Sequence, residues 1–105
     1  MTETPNVVWL TLDSVRQDHT TMGGYERETT PQIQRIADRS DGVAFSSCYA
    51  HARASPSSVP SILSGTYPSR HGTYYRDSTA FPDELPLVSE LLADVGYNTV
   101  GVSNN

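Results

Sequence analysis

A chain of 105 residues makes one small domain or a piece of one, since domains hold roughly 100 to 200 residues. With 36% hydrophobic and 18% charged residues it has the material for a folded core, which excludes disorder along its whole length, while seven Gly and seven Pro point to many turns. Twelve acidic against seven basic side chains, all of the latter Arg, give a net charge of -5 that repels polyphosphate and argues against sequence-independent nucleic-acid binding.

The opening MTETPNVVWLTLD lacks the basic stretch and small-residue cleavage site of a signal peptide. No apolar run reaches the ~18 to 20 residues of a membrane span, so a cytoplasmic chain without membrane contact is expected. Residues 6–13, nearly all apolar or β-branched, predict a strand buried on both faces, as in a parallel sheet, ending in Asp13. A carboxylate held there by a rigid strand suits a divalent cation with oxygen ligands; alternatively it caps the turn that follows. Residues 14–28 turn polar around Gly23-Gly24 and read as a long loop, in which Asp18 and His19 either join Asp13 or stay solvated. Thr30-Pro31 then opens a helix, Thr30 as N-cap and Pro31 at the first helical position, which stops near Asp41-Gly42.

Residues 43–50 predict a second strand, with Cys48 packed inside it as a small buried hydrophobe. A single cysteine makes no internal disulfide, and no Cys/His cluster with zinc spacing accompanies it. A Ser- and Pro-rich turn follows over residues 51–60, then a short helix over 59–63 ending at Gly65, then a loop over 67–72. Ser55, near the start of a helix, would lie in that helix's positive field, a place suited to an oxyanion, or would serve as its N-cap. As a nucleophile it needs a base or a metal to ease its deprotonation. Arg53, Arg70 and His71 flank the turn, as anion fork and proton donor or as surface residues. Pro86 starts a further helix with Leu87, Val88, Leu91, Leu92 and Val95 at helical spacing and Gly96 as its stop, and residues 98–103 predict a third strand.

Strands alternating with helices imply an α/β fold with a mainly parallel sheet, whose ligands sit beyond the carboxyl ends of the strands. Asp13, the Ser-rich turn and Ser103-Asn104-Asn105 would share that edge. A three-stranded sheet leaves open edges, which a companion chain or a second copy would cover.

These pieces, in this order, resemble the N-terminal part of the sulfatase family within the alkaline-phosphatase-like superfamily. Residues 6–19 look like its opening metal-binding strand, 30–37 like the helix after it, and 43–50 like the strand leading into the active-site turn. Residues 55–72 are similar to the nucleophile helix with its Gly-x-Tyr-Pro-x-x-His-Gly sequel, and 86–99 to the next helix and strand. The resemblance implies an alkaline-phosphatase-like α/β domain, here its N-terminal segment over residues 1–105, and hydrolysis of sulfate esters with a divalent cation, usually Ca2+, with Mg2+ or Mn2+ as alternatives. It places Asp13, with Ser14 and Asp18 beside it, among the metal ligands. Ser55 falls at the nucleophile position, which formylglycine made from Cys or Ser fills in sulfatases and an unmodified Ser or Thr fills in relatives acting on phosphorus esters. Arg53 and His71 become candidates for anion binding or proton donation.

The sequence departs from the family in named places. The maturation signal reads Cys or Ser, any residue, Pro or Ala, any residue, Arg; here Ser57 and Val59 stand at its third and fifth places. That favours an unmodified Ser55 and, with it, a phosphate ester or phosphonate substrate as the alternative. Ser14 stands where many members carry a second acidic ligand, and residues 101–105 offer no sulfate-binding Lys. Members draw further metal ligands from far downstream, so a non-catalytic fragment is the reading from another class. A nucleotide-binding module is disfavoured, because no Gly-rich phosphate loop follows the first predicted strand.

Overall fold

The computed structural model describes residues 4–74 and 80–104. Its regular elements are a 3-10 turn, Gln17–His19, and four α-helices: α1 (Pro31–Ala37), α2 (Ser55–Ser64), α3 (Pro68–His71) and α4 (Val88–Asp94). The chain divides into two compact units, Met1–Ser47 and Cys48–Asn105.

The expected α/β architecture is not what forms. Among the described residues there is no strand and no sheet, and the three runs expected as strands carry no ladder. The composition of those runs is a preference for a pleated, half-buried surface, and that preference acts only when a neighbouring strand supplies partners and a covering layer. Here their side chains face solvent: Val8 is 90% exposed and Val102 94%. Cys48, expected inside a strand, is likewise exposed. Of the expected strand-end edge, Asn105 lies outside the described residues.

In the first unit the loop after Asp13 is ordered by its own hydrogen bonds. The Thr21 N–H donates to Thr30 Oγ1 at 3.1 Å and the Thr30 N–H returns the bond to Thr21 Oγ1 at 2.9 Å. Thr29 Oγ1 donates to the His19 carbonyl at 2.6 Å. Thr30 is the N-cap of α1 as expected, with Pro31 at the first turn, but its hydroxyl is used by Thr21 and makes no cap bond. The helix ends at Ala37, short of Asp41-Gly42, where Gly42 passes so close to the Ile36 carbonyl that a Cβ would lie 2.3 Å from it.

In the second unit α2 packs against α3 and α4. The Ala54 carbonyl accepts the first free N–H groups of α2, from Ser57 at 3.1 Å and Ser58 at 2.9 Å. Gly65, at φ 67°, closes the helix by donating its N–H to the Ser61 carbonyl at 2.9 Å. The helix thus begins four residues before the expected Val59. The expected loop over 67–72 is instead the single turn α3, with Pro68 at its start and Gly72 at φ 68° after it. Leu87 is the N-cap of α4 and donates its N–H to Glu90 Oε2 at 2.7 Å, half of a capping box. At the other end Tyr97 donates to the Leu92 carbonyl and Gly96 to the Ala93 carbonyl, the paired bonds of a Schellman motif.

The buried residues of this unit are mostly polar: Ser57 (6% exposed), Ser61 (0%) and His71 (1%), with Leu85 (9%) as the buried hydrophobic. Residues of these polar types go inside only when their hydrogen bonds are made there.

Candidate active site

Asp13 and its neighbours belong to the first unit. Asp13 Oδ1 accepts the Ser14 N–H at 2.9 Å, and Ser14 sits in the left-handed region at φ 58°, a conformation uncommon for residues other than Gly. Asp18 is held by Arg16 and His19. Arg16 forks onto it, Nε to Oδ1 at 3.0 Å and Nη2 to Oδ2 at 2.6 Å, and His19 Nδ1 lies 3.0 Å from Oδ1. The Arg16 hydrogen bonds, followed by that of His19, hold the Asp18 carboxyl down at about 2, and the same pairing raises Arg16 further above its ordinary value. The His19 ring also lies 4.7 Å from that of Tyr25. A shallow cavity of about 430 Å3 opens between Ser14, Val15, Arg16, His19, Thr29 and Thr30.

Asp13, Ser14 and Asp18 lie within six residues of one loop, and Asp18 is engaged by its neighbours. Asp18 has both oxygens committed to Arg16 and His19. Among the described residues no three His, Cys, Asp or Glu side chains gather into a group that would hold a metal ion.

The other candidates lie in the second unit. Ser55 occupies the first position of α2 and is half-buried, and Arg53 stands exposed two residues before it. His71 ends α3, and its ring is enclosed. Its Nε2 lies 2.9 Å from Ser61 Oγ, and its Nδ1 accepts the Thr73 N–H at 3.1 Å. A backbone N–H aimed at Nδ1 leaves no place for a hydrogen there, so the ring hydrogen is on Nε2 and is donated to Ser61 Oγ. Ser61 in turn lies 3.4 Å from the Ser57 carbonyl one helical turn earlier. Phe81 covers the His71 ring at 6.0 Å. Both nitrogens of His71 are therefore occupied by the protein's own groups. Arg70, one residue before, is exposed.

Ser57 and Ser61 went unrecognised in the sequence. The signal is an i, i+4 pair of serines, which share one face of a helix once the helix begins at Ser55 and not at Val59.

The chain matches the family model "Sulfatase" over residues 5–105. Among curated proteins, it is 30% identical over 102 residues to N-acetylglucosamine-6-O-sulfatase of Bacteroides thetaiotaomicron, a match covering 93% of this chain and 17% of that protein. It is also 30% identical over 96 residues to an arylsulfatase of Clostridium perfringens, covering 90% of this chain and 19% of that protein. The chain thus spans under a fifth of the length of these relatives. No solved structure gives a match. No helix among the described residues is long and apolar enough to cross a membrane. A family match across nearly every residue, including α2 with Ser55 at its head, leads to one conclusion: the chain belongs to the sulfatase family.

Proposed function

We propose that the protein acts in the hydrolysis of sulfate esters, with the Ser55 oxygen as the nucleophile. The observation that carries this reading is the position of Ser55 at the head of the ten-residue helix α2, inside a sulfatase-family match. The positive end of a helix favours the anionic group of an ester, and Arg53 offers a planar fork for two of its oxygens. In the step proposed, the Ser55 oxygen bonds to sulfur, the ester S–O bond breaks, and the proton that Ser55 gives up ends on the departing alcohol; water then attacks the sulfur, the Ser55 O–S bond breaks, and one water proton restores the Ser55 hydroxyl as hydrogen sulfate leaves. His71, the proton-donor candidate, has both ring nitrogens engaged by Ser61 and Thr73. A divalent cation, calcium first, belongs to this reading; Asp13, with Ser14 and Asp18 beside it, would contribute oxygens to it, and the cation would supply charge stabilisation at the ester.

A second reading keeps Ser55 as nucleophile and replaces sulfate by a phosphate ester or phosphonate. Ser57 and Val59, at the places where the maturation signal has Pro or Ala and Arg, favour it.

Paired chromogenic sulfate and phosphate esters, assayed with Ca2+, Mg2+ or Mn2+ and with a chelator, test both. Turnover of the sulfate ester that disappears in Ser55→Ala is expected. Turnover confined to the phosphate ester selects the second reading, and turnover that survives Ser55→Ala removes Ser55 from the reaction.

A further inference from the structure

Pro60 interrupts α2 from within, because it has no N–H to give to the Pro56 carbonyl one turn earlier. The first turn, residues 55–58, is therefore tied to the rest of the helix by one backbone bond fewer than a regular helix provides. Ser61 Oγ lies 3.4 Å from the Ser57 carbonyl, the neighbour of the Pro56 carbonyl that Pro60 leaves without a donor, and so adds a side-chain tie between the first turn and the turn after it. A serine hydroxyl rotates freely and has other acceptors to choose from, so something must aim it. His71 Nε2, 2.9 Å away, does so: its hydrogen occupies one lone pair of Ser61 Oγ and turns the Ser61 hydrogen toward Ser57. The His71 tautomer is fixed in its own turn by the Thr73 N–H on Nδ1. Thr73 N–H, His71, Ser61 Oγ and the Ser57 carbonyl thus form one directed chain of hydrogen bonds, its His71 and Ser61 links in the driest part of the unit.

We propose that His71, as its Nε2–H tautomer, is a positioning residue that acts through Ser61 to hold the first turn of α2 in register across the Pro60 gap. Its bearing on rate rests on the reading of Ser55 as nucleophile; the chain of hydrogen bonds itself does not.

The imidazole 15N spectrum gives the first readout, with the His71 signals identified among the three histidines by their loss in His71→Gln. Hydrogen on Nε2 alone is expected, and hydrogen on Nδ1 overturns the proposal. Amide hydrogen exchange gives the second. Losing one such bond in Ser61→Ala should speed exchange at Ser58 and Val59 about fivefold relative to Leu91 and Leu92 in α4. His71→Gln keeps an N–H donor for Ser61 and should stay near the parent rate, whereas His71→Phe should not. Equal acceleration in α2 and α4, or none, assigns the pair to general packing and overturns the proposal. Where the protein turns over a sulfate or phosphate ester, Ser61→Ala should lower kcat with KM unchanged. Absence of turnover in every variant counts against Ser55 as nucleophile, while the tautomer and the exchange pattern still decide the positioning role.

Discussion

Thr21 and Thr30 exchange hydrogen bonds, each hydroxyl accepting the other's backbone N–H, at 3.1 and 2.9 Å. The pair fastens the loop after Asp13 to the start of α1. Removing either hydroxyl leaves a half-buried N–H without its acceptor, at a cost of about 1 kcal/mol. Thr21→Val should therefore speed exchange of the Thr30 amide about fivefold, and Thr30→Val that of the Thr21 amide by the same factor. A double variant no worse than either single one would show that the two bonds act as a unit, and hydrogen exchange by NMR is the measurement.

The Asp18 carboxyl titrates at about 2, below its ordinary 3.8, because Arg16 and then His19 bond its charged form. Folding therefore favours the deprotonated carboxylate. The order it lends to residues 16–19 is complete above the ordinary carboxylate range and is lost as the pH falls through about 2. A carboxyl 13C titration should show Asp18 with the low midpoint, and Arg16→Gln should move that midpoint upward. An unmoved midpoint would remove Arg16 as the main cause.

Gly23 lies against the Gln17 carbonyl so closely that a Cβ there would stand 1.9 Å from the oxygen, which no side-chain rotation relieves. Gly23→Ala should disrupt the 3-10 turn and the Arg16–Asp18–His19 cluster with it, seen as loss of the low Asp18 midpoint. Gly101→Ala, with nothing within 4 Å of the new methyl, should leave both unchanged and serves as the control.

Ser57 and Val59 occupy the third and fifth places of the maturation signal, so Ser55 should remain serine. Mass spectrometry of the peptide containing Ser55 should give the encoded mass; a loss of two hydrogens would show formylglycine and return the reaction to sulfate esters alone.

Helix ends were legible because their causes are local. Pro31 at the opening of α1, and Gly65 and Gly96 at the stops of α2 and α4, act through backbone geometry that one or two residues carry by themselves. The sheet was misread because pairing is a relation between segments. Residues 6–13 and 98–103 have the composition of strands but no partners among the described residues, and composition does not specify partners. Much the same separates Ser55 from His71. The helix that Ser55 heads is local and was legible within four residues of its true start, whereas the enclosure of His71 depends on α2, α3 and Phe81 meeting, which no local pattern specifies.

The exposure of residues 7–12 bears on handling of the protein as well as on its fold. Val7, Val8, Trp9, Leu10 and Leu12 all face solvent in a stretch with no charge and no proline, the composition that templates intermolecular β-aggregation. Pro5 precedes the stretch and Asp13 follows it, the two residue types that act as gatekeepers against such stacking. On that argument Asp13→Ala should raise light scattering at a given concentration even in a protein whose Ser55 has been removed, and unchanged scattering would show that the stretch needs no such guard.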